Sequence, residues 1–512
     1  MKKLASLVVA LCLCCALFVG AAMAETEVKS ILITEQWSVG SIDPVSNGKV
    51  VNQKLKITET LVNTDNSLNL LPGLATEWHN TDENTWVFQI REGVTFHDGT
   101  PMTAEEVRWS IQNALEQRPT QVSLTKIDTV EATDTYELTI TTSEPNAELP
   151  AYLHDSSMAI VGAGSYNEAG EFVTPVGTGP FTLDYFDEAL GEISVVKYDG
   201  YWGDMPGYDC LTMQVMTDPS IRAMAIENQE VDIAVDVPFS EIESLAALDY
   251  LTVECHDTNR VYYAYLNANS FFADKSVRQA LSYAIDRETI YNDVLYGCGT
   301  PAVGPFNADI AWSNTEMPGY PYDPVKAQEL LTEAGWTDSD GDGVLDKDGV
   351  DFKFDLLTFS DRPGLPKMAE AMQAMLGEVG MAVEIKIMDS GAIKDEIANS
   401  DTWGINLTTA QSCLVPSCSY FFQNAFSSAT TSAYGYENAE LDAMITACMS
   451  EFDQEKRYEL SKELQAYLVD EAEEIFICNY GVSYVFNETI SNFKFDVDCR
   501  DWILNADIHV NK

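Results

Sequence analysis

Two cysteines flank a proline in "WGINLTTAQSCLVPSCSYFF", Cys413 and Cys418, and such a pair could clamp a metal, cycle as a redox dithiol or close a disulfide. A soft metal would need two further donors, which the stretch does not offer. A redox dithiol would use C-x-x-C spacing and a thiolate-stabilising setting, both missing here. A disulfide across the short turn built on Pro416 suits the geometry of the bond and an oxidising compartment. The spacing therefore predicts a Cys413–Cys418 staple. The second candidate is "DSDGDGVLDKDG": Asp338, Asp340 and Asp342 fall at alternate positions, followed by Gly343 and Asp346, as in a calcium-binding loop. Hard carboxylate oxygens around a sharp glycine turn suit Ca²⁺, but Gly349 stands where the bidentate Glu belongs. The choice is between a structural Ca²⁺ on Asp338, Asp340, Asp342 and Asp346 and a solvated acidic turn.

Catalytic constellations do not assemble. The five histidines, 79, 97, 154, 256 and 509, never share a helical face at metal-ligand spacing. G-x-S-x-G and Walker A patterns do not occur, and "GCGTPA" at 297–302 follows a helical run instead of the strand that a dinucleotide fingerprint requires. With 81 acidic residues, no carboxylate pair can be singled out as a glycosidase couple.

The elements that would hold these groups alternate between helix and strand, which predicts α/β architecture. "ILITEQWSVGSIDP" begins as an apolar strand and turns at Asp43-Pro44. Thr103 with Glu106 forms a capping box before "AEEVRWSIQNAL", Asp323-Pro324 opens a helix closed by Gly335, and Asp453 caps a helix carrying Tyr458, Leu464 and Leu468.

The first residues, "MKKLASLVVALCLCCALFVGAAMAETE", read as a secretory leader cut after Ala24, too short in its apolar run for a stable span. Cys14 and Cys15 do not follow a small residue, so free export is preferred to a lipid anchor. Losing two lysines and no acids takes the net charge from −52 to −54, which disfavours nucleic acid and anionic headgroups. About 488 residues would remain, enough for two or three lobes. Eight cysteines, an even number, favour disulfides in an exported chain without fixing their pairing.

"ETLVNTDNSLNLLPGLATEW" and "TWVFQIREGVTFHDGTPMTAEEV" are followed in order by "VGTGPFTL", "YDGYWG", "DPSIRAMAIENQEVDIAV", "VRQALSYAIDRETIYNDVLYGCGTPA" and "YDPVKAQELLTEAGW". This series resembles the extracytoplasmic solute-binding proteins of the peptide/nickel (family 5) ABC importers over essentially the whole mature chain. The resemblance implies an α/β, two-lobed periplasmic-binding-protein-like fold (type II, cluster C) with an extra subdomain inserted in the first lobe. By that layout, lobe I takes 25–57, 190–266 and 480–512, the inserted subdomain 58–189, and lobe II 267–479. Ligand would sit between the lobes, and closure would present it to a membrane permease and its ATPase.

Family members that bind peptides often hold the ligand's amino group with an Asp after the second-lobe strand. No acid occurs between Trp403 and Phe422 here, so this chain departs from that clamp, and an acid would have to come from elsewhere, Glu35 or Asp43 flanking the first strand. Nickel-type members use arginines, aromatics and histidine in the subdomain. This chain keeps Arg118, but "PAYLHDSSMAIVGAG" carries no arginine. The pocket residues expected are Trp37, Gln411, Ser412 and Tyr420, with core packing the alternative for Trp37 and Tyr420, and His154 a weaker candidate. The reading is a monomeric binding component for a peptide or similar small solute, with no enzymatic turnover, no required cofactor and no nucleic-acid partner. Its rivals are a nickel-chelate binder of the same family, a ligand-sensing receptor, and a secreted Ca²⁺-dependent hydrolase.

Overall fold

The computed structural model describes residues 28–360, 362, 364–494, 504 and 507–511; the leader with its cleavage point, and Cys499, lie outside the described residues. Local signals act where the sequence puts them. Thr103 caps helix Ala104–Gln117 by accepting from the Glu105 N–H at 3.3 Å, while Glu106 accepts from the Thr103 N–H at 3.1 Å. Asp323 caps Pro324–Glu333, and Gly335 ends that helix at φ +92°. Asp453 accepts from the N–H groups of Glu455 and Lys456 and starts Gln454–Glu471, whose Leu464 and Leu468 face the core. Each such cap is worth about 1 kcal/mol.

The sheets give the molecule its plan. In chain order the strands used below are β1 (Ser30–Glu35), β2 (Ala75–Asn80), β3 (Thr85–Ile90), β4 (Ile127–Asp134), β5 (Glu137–Thr142), β6 (Phe181–Asp187), β7 (Glu192–Lys197) and β8 (Cys210–Val215). They continue with β9 (Ile233–Val235), β10 (Leu251–Leu266), β11 (Gly299–Pro301), β12 (Lys353–Phe359), β13 (Ala382–Met388), β14 (Trp403–Gln411) and β15 (Glu474–Asn487). A mixed eleven-stranded sheet runs β13-β12-β14-β10-β15-β9-β1-β8-β7-β6, with β11 added to β15. An antiparallel four-stranded sheet, β2-β3-β5-β4, stands apart with its own core of Phe88, Ile90, Leu138 and Ile140 beneath Val107 and Ile111 of the capped helix. Strand β6 falls within the segment assigned to the inserted subdomain, yet it is the edge of the large sheet, paired with β7. The aromatic "YWG" motif ties the two bodies together: Trp202 and Tyr201 donate to the Glu59 carboxylate at 2.9 and 3.0 Å, and Arg91 lies 4.5 Å over the Trp202 ring.

Two long strands carry the chain between the lobes. β10 and β15 pair from Leu251–Asp257 against Asn487–Gly481, and again from Val261 onward against Asn479. Residues 258–260 bulge against Tyr480 between these runs, a register shift within a continuous strand. Thr258 donates to the Tyr480 carbonyl at 2.9 Å, and β11 joins β15 at the same level. A bulge with few ladder bonds is where a strand pair can bend. Backbones come so close here that only glycine fits. A Cβ on Gly299, at φ +113°, would meet the Asn479 carbonyl oxygen at 2.5 Å, and one on Gly481 would meet the Gly299 nitrogen at 2.3 Å.

Every residue of β15 is buried, including Glu474 at its start, whose carboxylate oxygens have no hydrogen-bond partner among the described residues. Burial, then the neighbouring Glu473, pushes its carboxyl well above the usual range. The native state thus binds a proton that the unfolded chain releases, so this contribution is full below the unfolded value and is lost as pH rises through the folded one. Glu474→Gln is expected to raise the melting temperature at neutral pH and to flatten its decline above pH 5. Thermal unfolding across pH 5–8 checks this, and a lower melting temperature for the variant at neutral pH would contradict it.

Candidate ligand cleft

The crevice between the lobes contains two adjoining cavities of about 1080 and 520 Å³ that share Trp37 and Ser38. Trp37 follows the carboxyl end of β1 and remains 39 % exposed, because the strand ends at the crevice and not in the core. Opposite it, Arg362 follows β12 and sets its guanidinium 4.7 Å over the Trp37 ring and 5.7 Å over that of Tyr480. This contact joins the lobes by cation–π attraction. Tyr480 donates to Asp236 at 2.6 Å, and burial holds its phenol well above the usual range, so it stays a donor.

The smaller cavity is lined by Glu35, Lys54, Arg260, Arg362 and Gln411, so its described charges are three cations and one carboxylate. Glu35 is already engaged: it forms a buried ion pair with Lys54 and accepts from the N–H groups of Gln36 and Trp37 at 2.7 and 3.2 Å. Arg260 lies on the bulged hinge segment of β10, in register with Gln411 of β14. The larger cavity has Trp37, Phe239, Val294 and Tyr296 among its walls, and at its lining also Asp293, Lys367 and Glu370, so its charges are mixed. Arg222 also lines it but is buried, donating to the carbonyls of Val235 and Met216 at 2.8 and 2.6 Å, and so shapes the wall.

Of the residues expected from sequence, Trp37 and Gln411 meet in the smaller cavity. Ser412 does not line it: the side chain is buried and donates to the Asn259 carbonyl at 3.0 Å, bracing the hinge. Tyr420 stands edge-on to Tyr152 at 6.1 Å, in the contact between the four-stranded unit and the second lobe. His154 is buried with Nδ1 2.9 Å from the Val62 carbonyl. Arg118 donates to the carbonyls of Val45 and Ser46, at 3.2 and 3.1 Å, a structural role. Asp43 accepts from Val45 N–H and the Tyr166 hydroxyl, each at 3.0 Å, away from the crevice.

The expected Cys413–Cys418 disulfide is corrected. The bond present joins Cys255 and Cys298, Cα atoms 5.3 Å apart and 43 positions distant, beside the hinge bulge. The turn at Pro416 exists, with the Ser417 N–H on the Val415 carbonyl at 2.7 Å, but its ends are held elsewhere. The Asn259 amide fixes the Cys413 carbonyl at 2.9 Å, while Glu148 draws the Cys418 N–H at 3.0 Å toward the four-stranded unit. In the acidic loop, ligand oxygens of Asp338, Asp340 and Asp342 lie within 4.8 Å of one another, all exposed. Asp346 is turned to Ser339, accepting from its N–H at 2.8 Å and its hydroxyl at 2.9 Å.

Arg260 and Arg362 were missed by sequence reasoning. Arg362 had a usable signal, since ligands of open α/β sheets sit beyond the carboxyl ends of strands. Arg260 is the charged residue immediately before the apolar run "VYYAYL".

Two lobes on a two-strand hinge, with polar anchors facing each other across the crevice, define a solute-binding clamp. The chain belongs to the family described as bacterial extracellular solute-binding proteins, family 5 Middle, which matches residues 69–433. It is similar to the nickel-binding protein NikA of Staphylococcus aureus, 25 % identical over 86 % of this chain and 87 % of that protein. It is also similar to the glutathione-binding protein GsiB of Pectobacterium atrosepticum, 26 % identical over 91 % of this chain and 92 % of that one. Among solved structures, a nickel ABC transporter protein from Bacillus halodurans superposes with a TM-score of 0.81 at 27 % identity, covering 94 % of this chain and all of that one. The chain is accordingly a substrate-binding component of an ABC importer, of an extracytoplasmic family.

Proposed function

We propose that this protein captures a short peptide, or a similar small solute bearing at least one carboxylate, and delivers it to a membrane permease and its ATPase. The observation that carries the reading is the set of cations among the described lining residues, Arg260 and Arg362 beside the Glu35–Lys54 pair, next to a larger cavity of about 1080 Å³. A carboxylate would seat on the guanidinium groups, which bind planar anions with two parallel hydrogen bonds. The remainder of the ligand would fill the larger chamber, whose walls are both aromatic and polar and whose size suits a small molecule or short peptide. Glutathione, named for one relative, is itself a peptide with two carboxylates. Likeness to NikA favours a second reading, an anionic nickel chelate held by the same arginines. The protein acts as a monomer, exported by its leader, and performs no turnover.

A thermal-shift screen against di- and tripeptides, their C-terminally amidated forms, nickel–histidine and simple sugars tests this. Free-acid peptides are expected to stabilise the fold, by about 2.7 kcal/mol at a hundredfold excess over Kd, and the amides far less. Stabilisation by nickel–histidine alone would favour the second reading, and stabilisation by sugars alone would contradict both.

The same proposal takes Ca²⁺ only as a structural ion on Asp338, Asp340 and Asp342. Three carboxylates leave half or more of the coordination to water and carbonyls, so calorimetry should give a Kd of about 10⁻⁴–10⁻³ M, abolished by Asp340→Asn. Absence of heat at millimolar Ca²⁺ would remove the ion from the account.

A further inference from the structure

The second lobe holds two thiols that the cleft does not use. Cys418 follows β14 and the Pro416 turn, and Cys448 lies near the end of helix Ala439–Ser450. Both are buried, and their Sγ atoms are 3.7 Å apart. One carbonyl, that of Arg457, gathers them, at 3.6 Å from the Cys448 sulfur and 4.0 Å from that of Cys418. A disulfide has an S–S bond of about 2.05 Å, so closing it asks for less than about 2 Å of sulfur movement.

A second observation concerns what covers the pair. Glu148, which precedes Leu149 in the core of the four-stranded unit, reaches over it across the seam between that unit and the second lobe. Its Oε1 lies 3.0 Å from the Cys418 N–H and 3.5 Å from the Cys418 sulfur. Its Oε2 accepts from Ser417 Oγ at 2.7 Å and from Ser419 Oγ, and Arg457 Nε lies 3.7 Å from the carboxylate. Other contacts seal the same seam: the Ala311 N–H donates to the Ser67 carbonyl at 3.0 Å, and Trp86 stacks on Phe452 at 6.5 Å. Burial, the Cys448 thiol and the Glu148 carboxylate all push the Cys418 thiol well above its usual range. In the shut clamp Cys418 is therefore a covered thiol, inert as a nucleophile.

We propose that Cys418 and Cys448 are a gated dithiol, oxidised to a disulfide when the lobes part and Glu148 withdraws, and protected while they are shut. The oxidant is a small-molecule or protein disulfide, R–S–S–R. The Cys418 thiolate attacks one sulfur and expels RS⁻, and the Cys448 thiolate then attacks the Cys418 sulfur of the mixed disulfide and expels the second RS⁻. Two protein thiols lose two electrons and two protons, and the oxidant leaves as two R–SH. The new bond pins residues 417–419 to the helix that carries Cys448, so Glu148 meets an altered partner when the clamp shuts again.

The test is mass spectrometry of the full chain after equilibration with oxidised glutathione, trapped with iodoacetamide under denaturing conditions. The expected product is a Cys418–Cys448 cross-linked peptide, replaced in Cys448→Ser by a glutathione adduct on Cys418. Glu148→Ala is expected to speed the cross-link at least tenfold, and Glu148→Gln, which keeps the shape, by a smaller factor. Cys478, in the hinge with its thiol pushed up to about 12 by burial, should stay as slow as in the parent in both variants. Full alkylation of Cys418 and Cys448 after equilibration, a Cys413–Cys418 cross-link, or a rate untouched by both Glu148 variants would overturn the proposal. Its failure would leave the ligand reading standing, since that is measured by solute binding.

Discussion

Arg362→Ala is expected to weaken solute binding by about 2–5 kcal/mol, roughly thirtyfold or more, while destabilising the ligand-free protein by only about 1 kcal/mol through its lost ring contacts. The cost follows from removing one partner of a desolvated charge pair and leaving the ligand carboxylate with one guanidinium fewer. It also removes the ring contact at 4.7 Å between Arg362 and Trp37, which spans the lobes and favours the closed state. Arg362→Lys should recover only part of the loss, because an ammonium cannot lie flat on an indole or hold a carboxylate with two bonds. Isothermal titration with the best solute of the screen gives the numbers. An unchanged Kd for Arg362→Ala would place the anchor elsewhere in the crevice.

The hinge carries the second large effect. Gly481→Ala puts a Cβ 2.3 Å from the Gly299 nitrogen, and Gly299→Ala puts one 2.5 Å from the Asn479 carbonyl oxygen at a φ of +113°. Both obstacles are backbone, so neither can swing aside as a long side chain would. Each substitution is expected to cost about 3 kcal/mol or more in chemical denaturation, the backbone clash being added to any conformational cost, and to change the balance of open and shut forms. Gly93→Ala is the control: φ is +79°, but nothing lies within 4 Å, so only the backbone cost of about 1–2 kcal/mol applies. If the hinge variants lose no more stability than Gly93→Ala, close packing at the pivot is not what fixes its geometry.

Features written in short stretches could be read directly. The caps at Thr103, Asp323 and Asp453 each depend on a few adjacent residues, and the ordered motif series carried the family and the two-lobed fold. Trp37 and Gln411 could be placed at the crevice because Gln411 ends β14 and Trp37 lies just past the end of β1. Features set by distant pairing were not. Cys255 and Cys298 are 43 positions apart and meet only because β11 folds onto β15 beside the hinge. Cys413 and Cys418 looked like partners because they are close in sequence, but one end of their turn belongs to the hinge and the other to the seam at Glu148. Ser412 was one residue too far, since its side chain turns to the Asn259 carbonyl where Gln411 faces the cavity. Arg260 reaches the crevice through a register break that no spacing in the sequence announces.

Small-angle scattering during titration with a carboxylate-bearing solute tests the clamp most directly. The account predicts that the radius of gyration falls as the solute saturates, toward the value for two lobes shut across the Trp37–Arg362 contact. A profile that stays the same while calorimetry reports binding would contradict it.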